Sequence, residues 1–201
     1  MLSDDEIIRD IHRRRSRAVE ILYDRYAPLL LGICMRYCGN REDAEDVLHD
    51  SFIKIIRKLH TFRVKDKGYF PGWMRTIAVN TALNFLRDRQ KSRNTVPAEN
   101  IPELSAESGE EEEQEFGGRI LDIPREQVME LICGLPEGYR TVFNLYVFED
   151  YSHKEIAGML SFSENTSKSQ LSKARAMLRK QLTGLAMQKT ESHEKSSGSA
   201  G

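Results

Sequence analysis

YSHKEIAGMLSFSENTSKSQLSKARAMLRK, residues 151–180, carries two helix signals with a very short polar break between them. Ser152 and Glu155 have the spacing of a capping box, in which each side chain satisfies a backbone donor at a helix start. Ile156, Ala157, Met159 and Leu160 then supply an apolar face. The hydroxyl-rich LSFS at 160–163 competes with helix hydrogen bonds, so the chain is predicted to turn there and restart. In the second helix Leu171, Ala174, Leu178 and Leu182 recur at spacings of three and four, which makes one buried stripe. Lys168, Ser172, Arg175 and Arg179 repeat on another face, with Ser169, Lys173 and Lys180 beside them. A packed first helix, a tight turn and a basic second helix form a helix-turn-helix, whose second helix enters the major groove. A helical hairpin with solvated lysines fits the same residues, so the rest of the chain must discriminate.

At 201 residues the chain is one medium or two small domains, and 39% hydrophobic with 30% charged residues fits a soluble globular class. There is no run of eighteen apolar residues and no signal peptide pattern, which predicts a cytoplasmic protein without membrane insertion. Cys34, Cys38 and Cys133 are too few and scattered for a disulfide framework. Cys34 and Cys38 fall one helical turn apart, but no CxxC or HxxxH accompanies them, so they read as plain thiols and no metal or cofactor is expected.

The net charge of −1 conceals a division. Residues 1–93 hold 19 Lys and Arg against 13 Asp and Glu. Residues 94–118 hold eight Glu and no basic residue, whereas 164–181 alone carries a balance of +4. Two basic-faced lobes joined by an acidic tether predict a polyanion that touches both. Composition divides the chain into a lobe at 1–93, a flexible acidic linker at 94–121, a second lobe at 122–187 and a disordered tail at 188–201. Helix signals fill both lobes and strand alternation is absent, so the class is all-α. Ser3 with Glu6 marks one start and Asn40 another, reaching about Leu59. Pro28 should kink or restart a helix over 17–37. Pro71, Pro124 and Pro136 suit helix openings.

Two further surfaces lie in the first lobe. Over 40–59, Ala44, Val47, Leu48, Phe52, Ile55 and Leu59 share one face, while Asp43, Asp46 and Asp50 line another. Acids in an opening turn favour the helix dipole, but that effect fades after one turn and does not account for Asp46 and Asp50. A carboxylate stripe without metal spacing or a nucleophile suits docking on a basic protein better than catalysis. Over 62–93, Asn80, Asn84, Arg87 and Lys91 form one stripe, opposite Met74, Ile77, Ala78, Thr81 and Phe85. Amides read base edges, cations hold phosphates, and the nearby Phe62, Tyr69, Phe70 and Trp73 either stack on unpaired bases or anchor the core.

With these residues in view, AEDVLHDSFIKI (44–55) followed by GWMRTIAVNTALNFLRDR (72–89) resembles region two of bacterial sigma factors. The stretch from Leu135 to Leu182 resembles their region four, and the two regions alone with a short linker are similar to the extracytoplasmic-function group. The resemblance implies a subunit that brings core RNA polymerase to promoter DNA and helps open it. It implies docking on the clamp helices of the large subunit through Asp43, Asp46, His49, Asp50 and Lys54, with region four meeting the flap. His49 and Asp50 depart from the usual Gln-then-Glu pattern. The resemblance assigns Phe62, Arg63, Lys65, Trp73, Arg75, Asn80, Asn84, Arg87 and Lys91 to the minus-ten element, and Lys168, Ser169, Gln170, Ser172, Lys173 and Arg175 to the minus-thirty-five element. The usual Gly-Thr-Val-Lys/Arg-Ser-Arg core is NTSKSQ at 165–170, and a usual arginine is Lys173, which lacks the planar fork that pairs with guanine. This lobe is therefore expected to lean on phosphates, or on an anti-sigma factor or separate recruiting factor that controls its address. A stand-alone helix-turn-helix regulator is the alternative, and it leaves the first lobe's surfaces unexplained. An enzyme on nucleic acid would need a phosphate loop, a metal cluster or a nucleophile–base pair, and the sequence offers none.

Overall fold

The computed structural model describes residues 2–13, 15–62, 70–93 and 123–197, all helix, turn or short connection with no strand among them. Arg63, Lys65 and the acidic segment 94–121 lie outside the described residues. The chain divides into two compact units, Met1–Glu99 and Asn100–Gly201.

The first unit comprises α1 (Asp4–His12), α2 (Ser16–Cys38), α3 (Arg41–Lys58), a 3-10 turn (Leu59–Thr61) and α4 (Phe70–Arg93). Its helix starts follow local chemistry. Ser3 and Glu6 form the expected capping box, with the Ser3 amide donating to Glu6 Oε2 at 2.7 Å. The Asn40 side chain accepts from the Asp43 amide at 2.9 Å. Gly39, at φ 80°, takes the left-handed turn that ends α2, and its amide donates to the Met35 carbonyl. Pro28 does not restart the helix, which runs through it. Pro28 and Asp24, whose carbonyl loses its intrahelical donor, are both exposed, so water can take that carbonyl. α2, α3 and α4 pack on one another, burying Leu22, Leu30, Tyr37, Val47, Ile55, Leu59 and Met74. Ile7 and Ile8 seat α1 on α2, and Arg25 locks that seat by donating to Asp4 at 2.9 Å and to the Leu2 carbonyl at 2.5 Å. Cys34 and Cys38 are buried in α2, and burial pushes the Cys34 thiol up to about 12, so it holds its proton at neutral pH.

The second unit comprises α5 (Arg125–Cys133), α6 (Glu137–Val147), α7 (His153–Leu160) and α8 (Glu164–Ser197). Pro124 and Pro136 stand immediately before α5 and α6. Ile132, Leu135, Ala174 and Leu178 form its core, with Phe143, Phe148 and Met177 packed against them. Arg140 is buried and donates to the carbonyls of Cys133 and Leu135 at 2.7 and 3.0 Å, satisfying groups that the end of α5 leaves open. α8 runs to Ser197, past position 188 where composition predicts a disordered tail. Extending an existing helix costs far less than starting one, and Gln, Lys and Glu are good helix formers.

Candidate polymerase and DNA interfaces

On α3 the expected docking residues separate into two groups. Asp46, His49 and Asp50 are exposed. Asp43 is instead held within the unit: Arg89 of α4 pairs with its carboxylate, and the Asn40 side-chain amide donates to the same oxygen at 2.6 Å. Lys54 also departs from expectation, since its ammonium turns inward and donates to Thr81 Oγ1 at 3.3 Å, tying α3 to α4. Two of the five expected contacts are thus spent on holding the helices together.

α4 presents its stripe as the spacing predicts. Asn80, Asn84, Arg87 and Lys91 are all exposed, whereas Met74, Ile77, Ala78 and Thr81 are buried and Phe85 is half-buried. Arg87 donates to Asn84 Oδ1 at 2.9 Å, so one cation steadies one amide. Arg75 is half-buried. Phe62, Phe70 and Trp73 pack on one another, while Tyr69 lies outside the described residues. Phe62 lies 5.0 Å from Phe70 and 5.2 Å from Trp73 between ring centroids, and Tyr26 meets Phe70 edge-on. Phe62 and Trp73 are half-buried in this cluster, which closes the start of α4 against the end of α3. Their faces are therefore largely occupied by one another.

In the second unit the turn from α7 to α8 is short. Ser152 and Glu155 form the expected capping box, Ser161 takes a left-handed conformation at φ 60°, and Ser163 caps α8 by accepting from the Thr166 amide at 3.1 Å. Leu171, Ala174 and Leu178 point into the core, and Leu182 is half-buried. Lys168, Ser169, Ser172 and Arg175 are exposed and Lys173 is half-buried. Gln170 differs from the expectation of an outward reader. Its Oε1 is buried, and a Cβ at Gly138 would stand 3.4 Å from it, so the amide fills space that glycine leaves on α6. Ser167 is fully buried, and its hydroxyl shares a 2.8 Å hydrogen bond with His153 Nδ1. Burial, with Lys168 and Arg175 nearby, holds the His153 pKa below its ordinary 6.5, while Glu164 opposes them.

Two family descriptions match in this order: Sigma-70 region 2 over residues 22–92, and Sigma-70 region 4 over residues 125–178. The RNA polymerase sigma-H factor of Pseudomonas aeruginosa is 30% identical over 185 residues, covering 90% of this chain and 95% of that one. The chain belongs to the extracytoplasmic-function group of the sigma-70 family. The group's sigma-E factors of Haemophilus influenzae and Escherichia coli K12 are 29% and 28% identical, with 92% and 87% of this chain covered and 97% and 91% of theirs. Among solved structures, the sigma factor RpoE in complex with the anti-sigma factor NepR from Bartonella quintana is 19% identical. That match has a TM-score of 0.47 and covers 83% of this chain and 98% of that one.

This sigma factor binds core RNA polymerase and promoter DNA, and the region 2 match leaves a lone helix-turn-helix regulator without support. No described helix is long and apolar enough to cross a membrane. Sequence reasoning missed Arg140, Arg89 and the Ser167–His153 pair. The signal available was a polar residue at a position the helical period assigns to the core, as at Arg140 and Ser167.

Proposed function

We propose that this sigma factor docks on core polymerase through Asp46 and Asp50, opens promoter DNA against the α4 row, and rests on upstream duplex through the outward face of α8. The α4 row carries the reading. Two amides and two cations stand exposed along one helix whose opposite side packs through Met74, Ile77, Ala78 and Thr81, so the residues that meet bases and phosphates are held on a rigid element. Phe62 and Trp73 brace that helix rather than stack on bases, and Arg63 and Lys65, which precede it in sequence, add positive charge. His49, exposed beside Asp46 and Asp50, belongs to the same docking surface. On α8, Lys168 and Lys173 hold phosphates, with Ser169, Ser172 and Arg175 exposed beside them. The role is non-enzymatic and cytoplasmic, where the polymerase works. A protein that covers the acidic face of α3 or the basic face of α8 would silence the factor, which makes an anti-sigma factor or a recruiting factor the natural third partner.

The test is Asp46→Lys combined with Asp50→Lys. Exposed charge pairs are individually worth about 0.2–1 kcal/mol, so the double reversal should weaken binding to core polymerase by about ten-fold or more, with helicity unchanged. Unchanged polymerase affinity in titration of the labelled double variant removes the docking assignment.

A further inference from the structure

Side chains from three helices meet beside the outward face of α8. The Tyr146 ring of α6 stacks on the His153 ring at the start of α7, with centroids 4.6 Å apart and planes inclined by 24°. The guanidinium of Arg175, on α8, stands over the same Tyr146 ring, 5.8 Å from its centroid. His153 is fixed in turn by its 2.8 Å hydrogen bond to the buried hydroxyl of Ser167, also on α8. The order runs from inside outward: Ser167 anchors His153, His153 backs Tyr146, and Tyr146 faces Arg175.

Arg175 is the one arginine among the residues expected at the minus-thirty-five element, the others being Lys168, Ser169, Gln170, Ser172 and Lys173. An arginine pairs with a guanine edge only when its planar fork is presented in one orientation. A long exposed side chain otherwise gives up rotamer freedom as it binds, and that loss weakens the complex. A ring beneath the guanidinium limits that freedom before DNA arrives. We infer that Tyr146 and His153 are positioning residues for Arg175, presenting its guanidinium to the upstream duplex and concentrating in that one side chain whatever sequence preference region four retains. The inference rests on the reading that α8 lies against DNA. It gives a purpose to a histidine and a tyrosine that belong to neither of the expected element-reading rows.

The test uses the full chain assembled with core polymerase and a fluorescent upstream duplex, selected from a randomised pool by the unaltered protein, beside a scrambled duplex. Arg175→Ala should weaken the selected duplex at least about five-fold and lower its advantage over the scrambled one. Tyr146→Leu should weaken it about two- to five-fold and lower the same advantage, while Tyr146→Phe, which keeps the ring face, should restore both. The double variant should bind no worse than Arg175→Ala alone, since the ring acts only through the arginine. Losses that simply add, or a silent Tyr146→Leu, overturn the positioning role and leave the DNA reading standing. A silent Arg175→Ala overturns both. If Tyr146→Leu lowers the helical signal, the same cycle run with His153→Asn, which keeps a partner for Ser167 but removes the stacked ring, decides between coupled and additive losses.

Discussion

In the first unit Arg25 reaches Asp4 and Arg89 reaches Asp43 across helices, and Lys54 turns in to Thr81. In the second unit the named joins are Arg140 to two carbonyls, His153 to Ser167, and the stack on Tyr146. The first unit thus uses some of the charges on its α3 and α4 surfaces to close its own packing, and of the five expected docking residues on α3 those left exposed are Asp46, His49 and Asp50. The second closes its packing with backbone acceptors, a Ser–His hydrogen bond and stacked rings, and leaves Lys168 and Lys180 of α8 exposed. A charge on a helix surface is available to a partner only after its own domain has made its claim on it.

The largest expected effect breaks the second unit's join. Arg140→Met removes a charged donor from two carbonyls and should destabilise this unit by about 3 kcal/mol, read as lost hydrogen-exchange protection in α5 to α8 with α2 to α4 unaffected. Equal loss in both units would end the claim that the two are held separately.

Next comes the aromatic cluster. Phe62→Ala should cost the first unit about 2 kcal/mol of stability, less than a fully buried Phe because the ring is half-exposed, and should leave the melted promoter complex intact at equal occupancy. Asn80→Ala should do the reverse, sparing stability and reducing permanganate reactivity of unpaired thymines. An unchanged denaturation midpoint in Phe62→Ala would return that ring to the base-stacking role.

Acidification sharpens the contrast further. His153 has a folded-state pKa below 6.5, so the unfolded chain binds more protons between the two values. Its contribution to stability is fully present above about pH 6.5 and is lost as pH falls through the folded value. The second unit should therefore loosen before the first between neutral pH and that value, and His153→Phe should flatten the difference in pH-dependent hydrogen exchange.

The smallest effect lies on α8. Lys168→Ala and Lys173→Ala should each flatten the salt dependence of duplex binding by about one unit of slope, with little change in sequence preference. Arg175→Ala should change preference as well, so slopes that fall equally for all three would dissolve the distinction between holding and reading.

What could be read from the sequence follows the distance over which each rule acts. Ser3 with Glu6, Asn40, Ser152 with Glu155 and the turn at Ser161 obey rules spanning a few residues, and those helix starts stand where the sequence puts them. The α4 stripe was legible because one helix sets all four positions. Asp43 with Arg89 and Lys54 with Thr81 join residues 46 and 27 apart, which no local pattern links, so both acid and lysine looked outward. Gln170 looked like a reader because its helical face is the outward one, but the missing side chain of Gly138 on another helix gives its amide a place inside. The end of α8 failed in the other direction, since composition weighs residues singly whereas a helix already formed lowers the cost of its next turn.

The buried Ser167 carries a consequence for transplanting promoter specificity between relatives. Where the family usually has valine, this chain has a hydroxyl that needs a partner, and His153 on the preceding helix supplies it. A recognition helix carried alone into a scaffold without that histidine would strand a buried donor, a loss of about 1–3 kcal/mol. The reverse graft would leave the imidazole facing a methyl group. Here the two residues form an epistatic pair, and the smallest portable reading module is α7 and α8 together.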